Sequence, residues 1–173
     1  MKTNVVVGRF QTPELHEGHT TLLKKAYDES DNSLLVILAI SNDTPSLKNP
    51  YNVETRKRVI KEDERLYPNI KFASIKDYDS DHVWSYHLDF IIDSFAYGHE
   101  VKIYHSRDSI KGHYFGRYPL LSVKAKSTSS STQIREQIIN NPVVLPNFER
   151  RKGYLQGLAD GIKKAESMFK INE

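Results

Sequence analysis

The sequence predicts a doubly wound α/β fold, with about five mostly parallel strands in one sheet and helices on both of its faces. Three observations predict it. Short apolar runs of strand length alternate with longer stretches of helical apolar spacing. One of those runs, Leu34–Ile40, is apolar throughout, the pattern of a strand buried on both faces. The chain has 173 residues, 38% of them hydrophobic, and no internal repeat, which suits one domain around one core.

Taken in order, residues 5–7 (Val-Val-Val) read as a short buried strand, and 20–27 as a helix carrying Leu22, Leu23 and Ala26. After the apolar strand, residues 53–66 read as a charged amphipathic helix that stops near Pro68. Residues 70–75 are strand-like. Residues 81–95 carry Trp84, Leu88, Ile91, Ile92 and Phe95, a helical stripe. Residues 101–104 and 120–123 are two further short strands. The hydroxyl-rich run 126–132 leads straight into the helically spaced residues 133–139, so it reads as a loop that caps a helix. Leu155, Leu158, Ile162, Ala165 and Phe169 mark a final helix. The whole is a Rossmann-like arrangement: a single domain over 1–173, with 147–173 as a C-terminal helical extension that covers a sheet edge or builds a homo-oligomer contact. In such sheets ligands bind beyond the carboxyl ends of the strands, near the switch point, so chemistry is expected in the residues just after each strand.

Composition narrows the function classes. Lys plus Arg is 25 and Asp plus Glu is 22, a formal charge of +3 that suits an anionic ligand without demanding nucleic acid. The basic residues come in short clusters such as Lys24-Lys25 and Arg150-Arg151-Lys152, which read as solvated helix faces; no long basic stripe or nucleic-acid motif is present. With no cysteine, disulfides, thiolate chemistry and Cys-based zinc sites are excluded. The N-terminus enters a strand-like run at once, so no signal peptide is expected, and the longest apolar run is too short to span a membrane. A cytoplasmic protein without membrane partners is the expectation.

The strongest chemical signal follows the first strand. Gly8-Arg9-Phe10-Gln11 is succeeded by His16-Glu17-Gly18-His19 and then a helix. A helix start offers unpaired N–H groups and partial positive charge, a natural seat for phosphate. A glycine admits close approach of a ligand to the backbone. Two imidazoles beside it can direct hydrogen bonds at phosphate oxygens and stabilise charge developing at phosphorus. A lone histidine there would more often be a cap or a surface residue. A zinc site from His16 and His19 would need further ligands, and no obvious set accompanies the pair.

These residues resemble the first signature of the HxGH nucleotidyltransferase superfamily, which includes nicotinamide-mononucleotide, pantetheine-phosphate and glycerol-phosphate nucleotidylyltransferases. The superfamily's second signature is a Ser/Thr-rich turn and an arginine at the start of a late helix, and Ser130-Ser131-Thr132-Gln133-Ile134-Arg135 is similar to it. On physical grounds hydroxyls and N–H groups at a helix start hold phosphate oxygens, and an arginine one turn in can clamp an anion. Without the first motif, a surface ion pair would be the better reading of Arg135. The resemblance covers roughly residues 4–139.

Three further segments resemble the nicotinamide-mononucleotide branch. Asn49-Pro50-Tyr51 opens a helix there, which makes Asn49 and Arg56 candidates on the acceptor side, Arg56 for phosphate or for helix-anchoring work. Trp84, the only tryptophan, follows an acidic loop as does the branch's tryptophan that stacks on the nicotinamide ring; it also falls on the apolar stripe of its helix, so a core role stands equally. The loop after the fourth strand, His105-Ser106-Arg107-Asp108-Ser109, resembles the one that meets adenosine, so Arg107 and Asp108 join the ATP side; a polar turn is the plainer reading. The basic and aromatic stretch 111–118 reads as a loop flanking the site.

The resemblance implies transfer of AMP from ATP to nicotinamide mononucleotide (NMN), with Mg²⁺ accompanying ATP and no protein ligand to the metal assigned. His16, His19 and Arg135 would serve the triphosphate and the transition state. Gly8, Arg9, Phe10, Gln11, Gly18, Ser130, Ser131 and Thr132 would line the phosphates. The sequence departs from the pattern in a longer link between Gln11 and His16, which makes His19 the safer of the two histidine assignments. It also lacks a basic residue just before the Asn-Pro segment other than Lys48. Some relatives carry a second, Nudix-type hydrolase domain, which is not expected within 173 residues. Two alternatives stand beside this reading: adenylyl or cytidylyl transfer to another phosphorylated acceptor such as phosphopantetheine, and a regulatory module that holds NAD or ATP without turnover.

Overall fold

Alternation along the strands decides the architecture. In β1 (Lys2–Gly8), Val5 and Val6 point to opposite faces, and both are fully buried, so each face must be covered. The remaining elements are α1 (Glu17–Asp28), β2 (Leu34–Ile40), α2 (Val53–Lys61), β3 (Ile70–Lys76), α3 (Asp81–Ala96), β4 (Glu100–His105) and β5 (Leu120–Ser122). The computed structural model describes residues 1–42, 46, 48–62, 67–106, 110–124, 132–134 and 136.

The strands form one sheet in the order β3-β2-β1-β4-β5, and every pairing is parallel. On one face Val6, Val36, Leu38 and Tyr104 pack with Leu22, Leu23 and Ala26 of α1 and Ile60 of α2. On the other face Val5, Leu35, Ile37 and Ile103 pack with Leu88, Ile92 and Ala96 of α3. Full burial of a side chain such as Ile37 or Leu88 contributes about 1.5–3 kcal/mol. β2 and β3 build outward from one side of β1, and β4 and β5 from the other. The topological switch point therefore lies between β1 and β4, and the crevice beyond their carboxyl ends is where a doubly wound sheet takes its ligand.

Observed boundaries exceed the expected ones where a cap supplies the difference. α1 begins at Glu17 rather than residue 20, because the His16 side chain accepts the Gly18 N–H and caps the helix. α2 starts where expected, with Asn52 accepting from the Thr55 N–H at 2.9 Å, and is described to Lys61. The expected capping helix is present as helical residues 132–134 and 136. The hydroxyl run 126–131, the final helix over 155–169 and the extension 147–173 lie outside the described residues. Among the described residues no helix is long and apolar enough to cross a membrane.

Candidate active site

The loop leaving β1 is built around an unusual conformation. Phe10 has φ 48°, in the left-handed region that a bulky residue rarely adopts. Its ring folds back over Gly8, where a Cβ would sit 2.8 Å from the ring, so position 8 requires glycine. The same ring packs on His19 at 4.7 Å. Gln11 is buried and exchanges two hydrogen bonds with the backbone of Tyr51. The Tyr51 N–H donates to Oε1 at 2.8 Å, and Nε2 donates to the Tyr51 carbonyl at 3.1 Å. Arg9 donates to Asp77 at 3.0 Å and, through Nη1, to Asn49 at 3.5 Å. The loops after β1 and β3 and the segment before α2 thus converge on one spot.

His16 is the N-cap of α1, with extended backbone and its Nδ1 accepting from the Gly18 N–H at 3.1 Å. Because Nδ1 accepts, the ring proton of neutral His16 sits on Nε2. Its carbonyl accepts from the backbone N–H groups of His19 (2.8 Å) and Thr20 (3.1 Å). One turn on, the His19 ring stacks on that of His16 with centroids 3.7 Å apart and planes at 22°. Burial, and then the neighbouring His16, push the His19 pKa down to about 3, so this imidazole is neutral at physiological pH. Its Nδ1 is buried without a hydrogen-bond partner. Gly18 is buried, and its part in the site is the N–H that it gives His16.

These groups open onto a cleft of about 570 Å³. Gly8, Arg9, Phe10, Gln11, His16, His19, Asn49 and Trp84 all line it, so the structure brings together most of the described candidates. Trp84, in the first turn of α3, is half-buried and lines the cleft while packing against the aliphatic cluster under α3. The two expectations for it, core and cleft, describe two sides of one ring. Thr132 is exposed at the start of its helical stretch. Arg107, Asp108, Ser130, Ser131 and Arg135 lie outside the described residues.

Of the two expectations for Arg56, acceptor-side phosphate work and helix anchoring, its placement fits the second. It is fully buried, does not line the cleft, and donates to three backbone carbonyls: Arg9 at 2.8 Å, Ala39 at 2.7 Å and Asn52 at 3.3 Å. That is the geometry of helix anchoring. Burial, and then Arg9, lower its pKa to about 10, which leaves it charged at neutral pH.

Several further residues line the cleft from segments that the sequence places near the site without giving these residues a role. Asp77 and Tyr78 follow β3 and Ser106 follows β4, in the stretches just after strands where chemistry is expected. His113 comes from the stretch 111–118 expected to flank the site and pairs with Asp81 at 3.0 Å; only the pairing itself has no local sequence signal. Lys48, the one basic residue before the Asn-Pro segment, also lines the cleft. Among the described residues no group of three or more His, Asp or Glu side chains could hold a metal ion.

Known structures share this fold. A bifunctional NMN adenylyltransferase/ADP-ribose pyrophosphatase from Francisella tularensis, solved with AMP and a manganese ion, superposes with a TM-score of 0.77 at 18% identity, over 98% of this chain and 54% of its own. A NadR protein solved with NAD and AMP-PNP superposes with a TM-score of 0.59 at 19% identity, over 81% of this chain and 43% of its own. The chain spans about half the length of these proteins. No curated protein sequence matches it. The cytidylyltransferase-like family model matches residues 5–137, well over half of the chain. With that match, the parallel sheet and the paired imidazoles at the first helix, the chain belongs to the cytidylyltransferase-like family, within the HxGH nucleotidyltransferase superfamily.

Proposed function

We propose that this protein is an adenylyltransferase that transfers AMP from ATP to nicotinamide mononucleotide, forming NAD and pyrophosphate. The observation that carries the reading is the meeting of the two stacked imidazoles, Arg9 and the half-buried Trp84 in one cleft beyond the carboxyl end of β1. The names of the structural neighbours, an NMN adenylyltransferase with AMP and a NadR protein with NAD, support the choice of acceptor.

An NMN phosphate oxygen attacks the α-phosphorus of ATP in line. A P–O bond forms there, the bond from the α-phosphorus to the α–β bridging oxygen breaks, and pyrophosphate leaves. A phosphate monoester is nucleophilic enough to need no general base, so the protein's work is positioning and charge stabilisation. His16 and His19 supply N–H donors, and His19 does so as a neutral ring above a pH of about 3. Arg9 turns from Asp77 and Asn49 to a phosphate, and Arg135 with Thr132, Ser130 and Ser131 completes the phosphate contacts. Mg²⁺ would belong to the MgATP substrate and would offset the phosphate charge, with no protein ligand assigned to it. The Trp84 face receives the nicotinamide ring, where a cationic ring on an indole is favourable by about 0.5–2 kcal/mol.

The test is pyrophosphate release from MgATP with NMN, phosphopantetheine or flavin mononucleotide in separate reactions, with His19→Ala as the control for contaminating enzyme. Release with NMN alone, lost in the variant, is the expected result. Release with another acceptor keeps the transfer chemistry and overturns the role of Trp84. Absence of release with all three, together with tight binding of ATP or NAD, overturns turnover in favour of a nucleotide-binding regulatory module.

A further inference from the structure

Beyond the pairing of Gly8 with Leu38, β1 and β2 part company, while β2 stays paired with β3 as far as Ile40. The carbonyls of Arg9 and Ala39 flank this fork, and both residues line the cleft. Arg56 fills the fork from behind. Its Nη1 donates to both carbonyls, at 2.8 and 2.7 Å, while Nε donates to the Asn52 carbonyl in the cap of its own helix.

The choice of residue is costly. Arg56 is fully buried, no carboxylate among the described residues pairs with it, and its Nη2 has no hydrogen-bond partner. A buried cation without an anion is expensive, and a neutral donor could join two carbonyls more cheaply. A planar guanidinium instead fixes both the spacing and the angle of its partners. The partners here are the backbone that carries the Arg9 side chain and the strand end beside it. Gln11, bonded twice to the Tyr51 backbone, secures the same loop from its other end, so the loop is held at two points across residues 9–11.

We propose that Arg56 is a positioning residue for the transfer reaction, acting through the Arg9 and Ala39 carbonyls to hold the phosphate-facing loop against the end of β2. The inference rests on the reading of Arg9 as a phosphate ligand given above. It assigns Arg56 no contact with either substrate.

Arg56→Lys keeps the charge but replaces the planar fork with a point donor; Arg56→Met removes both. Per folded molecule, each variant is expected to lose about 100-fold in kcat/KM for MgATP, the scale of a misplacement of about 1 Å at a reacting centre. The KM for the acceptor should stay within about twofold, well under the tenfold that 1.4 kcal/mol would bring. A variant that melts at a lower temperature but keeps kcat and both KM values overturns the proposal, since that is what a purely structural arginine would do. Should both variants fail to fold, the unmutated ¹⁵N-labelled protein decides. The Arg56 Nε–H resonance should move on addition of MgATP although the side chain does not line the cleft; an unmoved resonance while the Gly8 and Arg9 amides shift overturns the proposal. If the wild type turns over none of the acceptors, the functional reading has failed separately. Calorimetric MgATP affinity of the folded Lys variant is then decisive: weakened binding supports the positioning role and equal binding overturns it.

Discussion

The two ends of the sheet treat buried polarity differently. At the amino end, Thr3 Oγ1 lies 2.9 Å from Ser33 Oγ and 2.8 Å from His99 Nδ1, and Asn4 Nδ2 donates to the Ala26 carbonyl at 2.8 Å. These groups serve one another, and among them only Asn4 Oδ1 is buried without a partner. At the carboxyl end, Thr12 Oγ1, His19 Nδ1 and Arg56 Nη2 are all buried without partners, and Phe10 sits in a left-handed conformation beside them. A polar atom buried without a partner costs about 1–3 kcal/mol, so one end is made for stability and the other departs from it. The difference coincides with the end at which the reaction is proposed, and strain and unmet polarity of this kind persist where the surrounding structure compels them.

The largest effect should come from breaking the carboxyl end. On the proposed mechanism His19→Ala removes a donor to developing charge, and kcat for pyrophosphate release should fall by about 10²–10³, the usual consequence of deleting one such group. Steady-state kinetics checks it, and a variant with near-normal kcat would remove His19 from the transition state. The counterpart at the amino end is Thr3→Val. It leaves the Ser33 hydroxyl and the His99 ring short of a partner and should cost about 1–3 kcal/mol of stability by denaturant unfolding. Its kcat should match the wild type, since Thr3 stands at the far end of the strand from the cleft. Loss of activity without loss of stability would dissolve the division between the two ends.

pH offers a finer probe. His19 has a folded pKa of about 3 against an ordinary 6.5, so the unfolded chain takes up the proton first. Its contribution is complete above pH 6.5 and is lost as pH falls from there toward 3. By pH 5 the loss should reach about 2 kcal/mol relative to the neutral plateau. His19→Gln should flatten that part of the curve while Thr3→Val leaves it intact. An unchanged slope in His19→Gln would show that the ring is not held neutral in the fold.

Much of this architecture is legible in the sequence. The continuous apolar run yields β2 with its bounds as Leu34–Ile40, and the 81–95 stripe yields α3 to within a residue. Periodicity reports burial directly, so those elements announce themselves. His16 and His19 are legible as a site because their spacing is local, on one helical turn. Arg56 is not, because nothing in residues 52–56 indicates that its guanidinium will meet the carbonyls of residues 9 and 39. Asp77 with Arg9, and His113 with Asp81, are likewise long-range contacts that only the crossover topology creates. The first turn of α1 is less legible, since apolar spacing begins only near residue 20, although a cap is among the readings of a histidine at that helix start.

The smallest expected effect tests whether Trp84 belongs to the site or only to the core beneath it. The ring lines the cleft and also packs on the cluster that holds Leu88 and Ile92, so Trp84→Ala alone would confound binding with folding. Trp84→Phe separates them. Phenylalanine keeps an apolar body on the cluster but offers a weaker face to a cationic ring, so stability should change little. The KM for NMN should rise by an amount within the roughly 0.5–2 kcal/mol of such a contact, about 2- to 30-fold. The KM for MgATP should stay constant, because the groups proposed to hold its phosphates sit on other elements of the cleft. A rise confined to NMN ties Trp84 to the acceptor ring. Equal rises in both KM values would mean that the substitution shifts α3 as a whole, and the indole would then be core with one edge in solvent.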